Sequence, residues 1–323
     1  MPEISVVMSV YNGSVYLKQA VESILNQTFT DFEFIIIDDG STDNSLSIIK
    51  SYRDSRIKIL TQENTGLAKA LNRGIYLAKS SLVARMDADD ISLPDRLRTQ
   101  YDFLKCNPEY IVCGTWAVVV DKNGEDIYTC KTKENDLQIK EFMRRRFSRG
   151  LPATPFFHSS VMFRKKEFNE AGGYSGHMLR SQDVVLFNKM SRKGKFYNIP
   201  LVLHKYRVLP ESITRIKMSP KLSGVLLVKS INDEIVEDNL ISAVTDSLIK
   251  SNQKERDFNY LLYLGKKYLW NNFRPRKARR NLINAMKINP FKIFPYILIL
   301  LSFFPKEIIK VIHLSKKTAQ IDS

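Results

Sequence analysis

Cysteine is scarce in this chain of 323 residues: there are three, Cys106, Cys113 and Cys130. A small, odd number offers no disulfide framework and points to a reducing compartment. Glycine (13) and proline (12) are also few, which excludes collagen-like and low-complexity architectures. No basic segment followed by an apolar one opens the sequence. Met1-Pro2-Glu3 runs straight into a strand-like stretch, so no secretory signal is expected. The longest uncharged apolar run, Ile293 to Pro305, falls short of the roughly 20 residues that a bilayer-crossing helix needs. These absences make the expected location cytoplasmic, and the basic C-terminal tail adds an expected peripheral place on the inner face of the cytoplasmic membrane. Acidic residues are outnumbered, 34 against 50 Lys+Arg, for a net charge of +16. Such a surplus points to an anionic partner: nucleic acid, acidic lipid headgroups or a phosphorylated substrate.

What is present is enough for a sizeable core, with 44% hydrophobic and 26% charged residues. The first ninety residues alternate between two patterns. Ile4–Val10, Phe32–Asp38, Arg56–Leu60 and Leu82–Met86 are apolar, β-prone runs of the kind covered on both faces. Between them lie helical patterns: one with Leu17, Val21, Ile24 and Leu25 on a single face, then Asp43–Tyr52 and Gly66–Lys79. This alternation predicts an α/β fold of parallel βαβ units with helices on both faces of the sheet. Ser92 is placed to cap a helix from Leu93 to about Lys105. Strands are then expected at Tyr110–Val120 and Phe157–Phe163, helices at Asp136–Phe147 and Arg180–Arg192, and extended chain over Phe196–Val208. Beyond about Pro220 the pattern is helical. The domain boundary is placed between Pro210 and Pro220, which gives a catalytic domain over 1–215 (halves 1–105 and 106–215) and a basic helical region over 216–323.

Each early strand ends in polar or acidic residues: Tyr11-Asn12-Gly13, Asp38-Asp39-Gly40 and Asp87-Ala88-Asp89-Asp90. In open α/β sheets the ligand lies beyond the carboxyl ends of the strands, so these three ends face one candidate site. Asp87 and Asp89, one residue apart after a buried strand, can aim at a single hard cation that keeps positions open for phosphate oxygens. A lone Asp-x-Asp is weak evidence, since it is commonly a solvated turn or a helix cap. The second acidic strand end on the same side strengthens it, because crowded carboxylates repel unless a cation or donor offsets them. For Asp43 the preferred reading is local, a carboxylate capping the helix near Thr42–Ser45.

The run SVVMSVYNG…IIIDDGSTDNS…NTGLAKALNRGI…ARMDADDISLPDRL resembles the nucleotide-binding half of family 2 glycosyltransferases. It does so closely over residues 3–105 and more loosely to about 215 through HSSVMFRKKEFNEAGGY, LRSQDVVL and LHKYRVLPESITR. The resemblance implies the GT-A fold, with a Rossmann-like, mostly parallel sheet, and a donor that is a nucleotide-activated sugar, usually a UDP-sugar. By that resemblance the Val10–Tyr11 strand end packs against the base, Asn12 belongs to the same donor-binding set, and Asp39 accepts a hydrogen bond from the base. Asp87 lies near the ribose and sugar. Asp89 ligates Mn²⁺ or Mg²⁺, and Asp87 is counted with it in the metal set.

Asp183 occupies the place of the family's catalytic base, in Gln182-Asp183 where relatives carry Glu-Asp. It would take a proton from the acceptor hydroxyl in a displacement that inverts the anomeric carbon. The alternative for Asp183 is a charge at a helix start. Where many relatives carry an Arg after the NxG motif this chain has Leu71, flanked by Lys69 and Arg73, which are the expected donor contacts. Relatives often place a His shortly after the Tyr-Arg pair; here Tyr206-Arg207 is followed by Val208, and His204, Lys205, Arg207 or water takes that place. Arg207 is included in the donor-binding set, whereas His158 and His204 are read as structural. No Gln-x-x-Arg-Trp of the processive synthases occurs, so one sugar per encounter is expected.

Lys140 and Arg144–Arg149, interleaved with Phe142, Met143 and Phe147, read either as a solvated helix face or as a flap over the donor diphosphate. Phe258–Trp270 and Arg276–Ile288 read as a helical hairpin with Pro275 near the start of its second helix. From Phe258 to Lys306 there are ten Lys/Arg and no acidic residue. Basic residues beside the apolar segment Phe291–Pro305 fit either a helix lying in the interface of an anionic membrane or a core helix. The expected partners are a nucleotide-sugar donor, a saccharide or lipid-linked acceptor and an anionic membrane surface. Two other classes share some features. A nucleic-acid-binding protein would use the positive charge, but the acidic ligand face opposes it. A sugar-phosphate nucleotidyltransferase would also use paired acids and a metal, but would release pyrophosphate.

Overall fold

The computed structural model describes residues 1–149, 153–176, 178, 181–212, 220–232, 234, 242, 252–271 and 273–319. The chain divides into two units: Met1–Ala117, Cys130–Tyr206 and Met218–Asp246 in the first, and Val118–Thr129, Arg207–Lys217 and Ser247–Ser323 in the second. This differs from a single cut near 215. The β-hairpin around Gly124 falls in the second unit. Helix α8 (Pro220–Ile231) falls in the first, where Leu226, Leu227 and Ile231 are buried and the Ser230 hydroxyl donates to Met178 Sδ at 3.5 Å. The expected boundary segment 213–219 lies outside the described residues.

In the first unit β1 (Ile4–Val10), β2 (Phe32–Asp38), β3 (Ile57–Thr61) and β4 (Leu82–Asp87) are all parallel, in spatial order β3-β2-β1-β4. The helices between them are α1 (Ser14–Leu25), α2 (Ser45–Ser51) and α3 (Leu67–Leu77). Period-2 alternation assigns the faces. Val6, Met8 and Val10 of β1 join Phe34 and Ile36 of β2 against Leu17, Val21 and Ile24 of α1. Val7, Ile35 and Ile37 point the other way, onto Ala70, Leu71 and Ile75 of α3. Gly74 lets α3 approach this closely, since a methyl there would lie 2.7 Å from Val7 Cγ1.

Beyond β4 the order continues β8-β6-β9-β5, and here the pairing becomes antiparallel where β4 meets β8, β8 meets β6 and β9 meets β5. The elements are β5 (Ile91–Ser92), α4 (Arg96–Cys106), β6 (Tyr110–Val120), α5 (Asp136–Ser148), β8 (Met162–Arg164), α6 (Lys165–Glu170), α7 (Gln182–Met190) and β9 (Lys195–Arg207). Two expectations need correction. The helix expected from Leu93 begins at Arg96, because Ile91 and Ser92 pair with β9 and the Leu93 amide bonds the Leu203 carbonyl at 3.0 Å. The strand expected at Phe157–Phe163 is broken by a 3₁₀ turn at His158–Ser160, closed by the Ser160 amide on the Phe157 carbonyl at 2.8 Å. Arg180, the expected start of α7, lies outside the described residues.

The second unit holds β7 (Asp126–Cys130), whose last residue alone belongs to the first unit, and the helices α9 (Gln253–Trp270), α10 (Pro275–Ile288), α11 (Phe294–Leu301) and α12 (Lys306–Ala319). The expected hairpin is present as α9 and α10. Its core is Leu264, Tyr268, Leu269, Ala278, Leu282 and Ala285, and Gly265 admits Leu282 against the α9 backbone. Among the described residues no helix is long and apolar enough to cross a membrane.

Candidate active site

The register levels the strand ends: Ser9 pairs with Asp87, Val10 with Asp38, and Asp38 with Thr61. The acidic residues that follow these strands therefore share the carboxyl edge of the parallel sheet. The last strand residue, Asp87, and the turn after it bring Asp87, Asp89 and Asp90 together, with one carboxylate oxygen from each within 4.8 Å of the others. Asp87 forms an ion pair with Arg85, whose side chain is fully buried. Burial lifts the Asp89 carboxyl well above the usual carboxylate range, and the charges of Asp90 and Asp87 push it the same way.

Asp90, buried, accepts from the Ser159 hydroxyl and lies 3.0 Å from His204 Nε2. Burial drives the His204 pKa well below its ordinary value, and the same Nε2 lies 2.9 Å from the Ser159 hydroxyl. Arg96, also fully buried, donates to the carbonyls of Arg85 at 3.1 Å and Ser159 at 2.7 Å, and burial pulls its pKa down to about 10. Two guanidinium groups thus underlie the three carboxylates. Three hard oxygen donors, with one oxygen of each within 4.8 Å of the others, fit a divalent cation such as Mn²⁺ or Mg²⁺.

Asp183 stands in the first turn of α7. Burial raises its pKa; Arg85 opposes the rise and Asp87 adds to it, so Asp183 faces the same charges as the cluster. Tyr174 is buried nearby, with its hydroxyl 2.7 Å from His158 Nε2. The turn that delivers Tyr174 has Gly172 and Gly173 at φ 84° and 68°. Asn72 of α3 clamps it, donating to the Tyr174 carbonyl at 2.8 Å and accepting from its amide at 2.9 Å.

The other expected residues are placed as follows. Tyr11 is exposed, whereas the Val10 side chain is wholly in the core, so only the Tyr11 ring is open to a base. Asn12, at φ 50°, accepts from the Thr42 amide at 2.8 Å and ties the β1 and β2 ends together. Asp39 is buried; it accepts from Gln62 Nε2 at 2.7 Å and from the amides of Thr65 at 3.0 Å and Gly66 at 2.9 Å. Arg73 donates to the Thr61 carbonyl at 3.0 Å and to Gln62 Oε1 at 2.9 Å, bracing that same loop. Lys69 is exposed, and its stem runs past Gly176. Arg207 belongs to the second unit, where it is buried and donates to the carbonyls of Asp121 at 3.3 Å and Lys122 at 3.4 Å. Asp43 has the local role expected of it, accepting from the Ser14 and Ser45 amides at 3.0 Å and 2.9 Å and so capping α1 and α2 together.

A half-parallel sheet with a carboxylate cluster at its strand ends has the architecture of the GT-A transferases. A description of glycosyl transferase family 2 matches residues 5–172. The chain belongs to glycosyl transferase family 2, and it is a glycosyltransferase. It is 37% identical over 214 residues to the O-antigen biosynthesis glycosyltransferase WbnJ of Escherichia coli, covering 64% of this chain and 79% of that one. In fold it resembles residues 1–349 of S. aureus TarS in complex with UDP-GlcNAc, with a TM-score of 0.59, 16% identity and coverage of 97% and 92%. It also resembles the mannosyltransferase PcManGT of Pyrobaculum calidifontis in complex with GDP-Man and Mn²⁺, with a TM-score of 0.53, 17% identity and coverage of 96% and 83%.

Proposed function

We propose that this glycosyltransferase moves a hexose-type sugar from a UDP-sugar to a hydroxyl of a saccharide or lipid-linked acceptor, with inversion and one sugar per encounter. The setting we infer is cell-envelope polysaccharide synthesis at the inner face of the cytoplasmic membrane. The observation that carries this reading is the convergence of Asp87, Asp89 and Asp90 at the strand ends, with Asp183 within the electrostatic reach of Asp87. It is supported by the O-antigen role in the name of WbnJ and by the UDP-GlcNAc held by TarS.

Asp89 and Asp87 would hold Mn²⁺ or Mg²⁺, which when bound supplies positive charge to the departing diphosphate. Tyr11 would lie against the base, with Asn12 and Asp39 fixing the loops around it. Lys69, exposed on α3, would reach the donor phosphates. Arg73 would act through the Gln62–Gly66 loop. Asp183 accepts the proton of the acceptor hydroxyl as its oxygen bonds to the anomeric carbon. The bond from that carbon to the diphosphate oxygen breaks, and its electron pair leaves with the nucleotide. Burial keeps Asp183 a stronger base than a solvated aspartate.

A panel of nucleotide sugars, assayed with Mn²⁺ for nucleoside diphosphate release, tests the reading. UDP release from one UDP-sugar, dependent on added saccharide acceptor, is the expected result. Pyrophosphate release from a sugar phosphate and a nucleoside triphosphate would instead assign nucleotidyl transfer.

A further inference from the structure

In the second unit the apolar segment after α10 is turned outward. Within α11 only Pro295 and Leu298 are buried, while Leu300 is 67% exposed. The flanking residues Phe291, Ile293, Phe303 and Phe304 are exposed as well, Phe291 to 95% and Phe303 to 69%. Side chains of this size gathered over so short a stretch form an apolar surface of the kind that marks an interaction site.

Its charge is predominantly positive, with Glu307 the one acidic residue directly beside the stretch. Lys266 Nζ lies 4.3 Å above the Phe294 ring and the Arg279 guanidinium 4.5 Å above that of Phe303. Lys292 and Lys306 are exposed at the two ends of the apolar stretch. No acidic residue occurs from Phe258 to Lys306. Beside α11 a groove of about 690 Å³ has Phe258, Leu262 and Phe294 in its wall, together with Lys254, Lys266 and Lys292 and one acid, Glu255. Apolar bodies with cations at their edges match a surface that is anionic outside and hydrocarbon within. A second copy of this chain would bring like charges face to face, which opposes self-association. At 1.5 Å per residue α11 is also far too short to cross a hydrocarbon core of about 30 Å.

We propose that the second unit docks on an anionic lipid bilayer through this face. α11 lies in the plane of the interface, Leu300 and Phe303 enter the acyl region, and the lysines meet lipid phosphates, while Arg279 holds the end of α11 through the Ser302 carbonyl at 3.2 Å. The groove admits one of those headgroups. The membrane setting inferred for the transfer reaction thereby gains a specific surface, but vesicle binding is read without any sugar nucleotide, so either idea can fail alone.

The test is co-sedimentation of the full chain with vesicles of phosphatidylcholine alone and with added phosphatidylglycerol, at low and high salt. Binding to the anionic vesicles, lost at high salt, is expected. Leu300→Glu and Phe303→Glu should each weaken it about tenfold or more, and the pair Lys292→Glu and Lys306→Glu should do the same. Their circular dichroism melts and their UDP affinity should match the wild type. A Phe303→Trp variant, whose fluorescence brominated-chain lipids should quench beyond the wild-type response, keeps the test decisive if a glutamate variant misfolds. Failure to sediment at low salt, unaltered binding by the glutamate variants, or no added quenching at position 303 would overturn the proposal. So would a lipid-free dimer that Leu300→Glu dissociates, since a second copy would then be the occupant.

Discussion

Arg85 and Asp87 lie two positions apart on one strand, and the fully buried guanidinium of the first is ion-paired to the carboxylate of the second. Residues i and i+2 of a strand share a face, so β4 carries its own cation directly beneath the acidic turn. Arg96 adds a second buried cation from α4, held by backbone carbonyls. Without a bound metal, these two groups help the Ser159 hydroxyl to oppose the mutual repulsion of Asp87, Asp89 and Asp90.

Replacing Arg85 by glutamine should cost stability on the order of 3 kcal/mol, because it breaks the ion pair of a fully buried guanidinium and removes one of the two cations beside the carboxylates. Added Mn²⁺ should restore part of the loss and raise the melting temperature of Arg85→Gln by more than that of the wild type. Thermal melts of both proteins with and without the ion measure this directly.

Asp43→Ala removes a cap shared by two helices and should destabilise by about 1 kcal/mol. Although burial alone would raise its pKa, hydrogen bonds from Ser45 and Ser14 bring it from 3.8 down to about 2. A pKa lower in the folded state means that the contribution is full above the unfolded value and fades as pH falls from about 4 towards 2. Urea titrations across that window should show the wild type and Asp43→Ala converging in stability at the acid end.

Asp183→Asn should lower kcat by roughly 10²- to 10⁴-fold, the usual span for a lost general base, with little change in KM for the donor. Steady-state kinetics with saturating acceptor separate the two parameters. A parallel rise in donor KM would mean that Asp183 holds the donor and does not move the proton.

Gly74→Ala would drive a methyl into Val7 and Ile37, where α3 rests on the sheet, and should destabilise by about 1–3 kcal/mol. Chemical denaturation measures the change.

The parallel half of the fold was legible because its strands are uninterrupted apolar runs and each ends in polar residues at the sheet edge. The pairing of Asp87 with Asp89 was legible for the same reason. Asp90 was not separated from its neighbours, since its partners Ser159 and His204 come 69 and 114 residues later and no local pattern links them. His204 was read as structural from its apolar strand, and its low pKa and buried contacts agree, yet they also join it to the cluster. Arg207 was read as a donor contact from its place beside Tyr206, and no local pattern signalled its contacts with the carbonyls of Asp121 and Lys122, more than eighty residues earlier. The segment FPYILILL reads equally well as a core or a surface helix. Only packing, with Leu298 buried and Leu300 outside, decides between them.

Calorimetric titration of UDP, with and without Mn²⁺, into the wild type and Asp89→Ala examines the carboxylate cluster most directly. Binding that needs the ion in the wild type and vanishes in Asp89→Ala, with an unchanged melting profile in the absence of metal, is the predicted result. UDP binding of equal strength without the ion, or retained in Asp89→Ala, would contradict it.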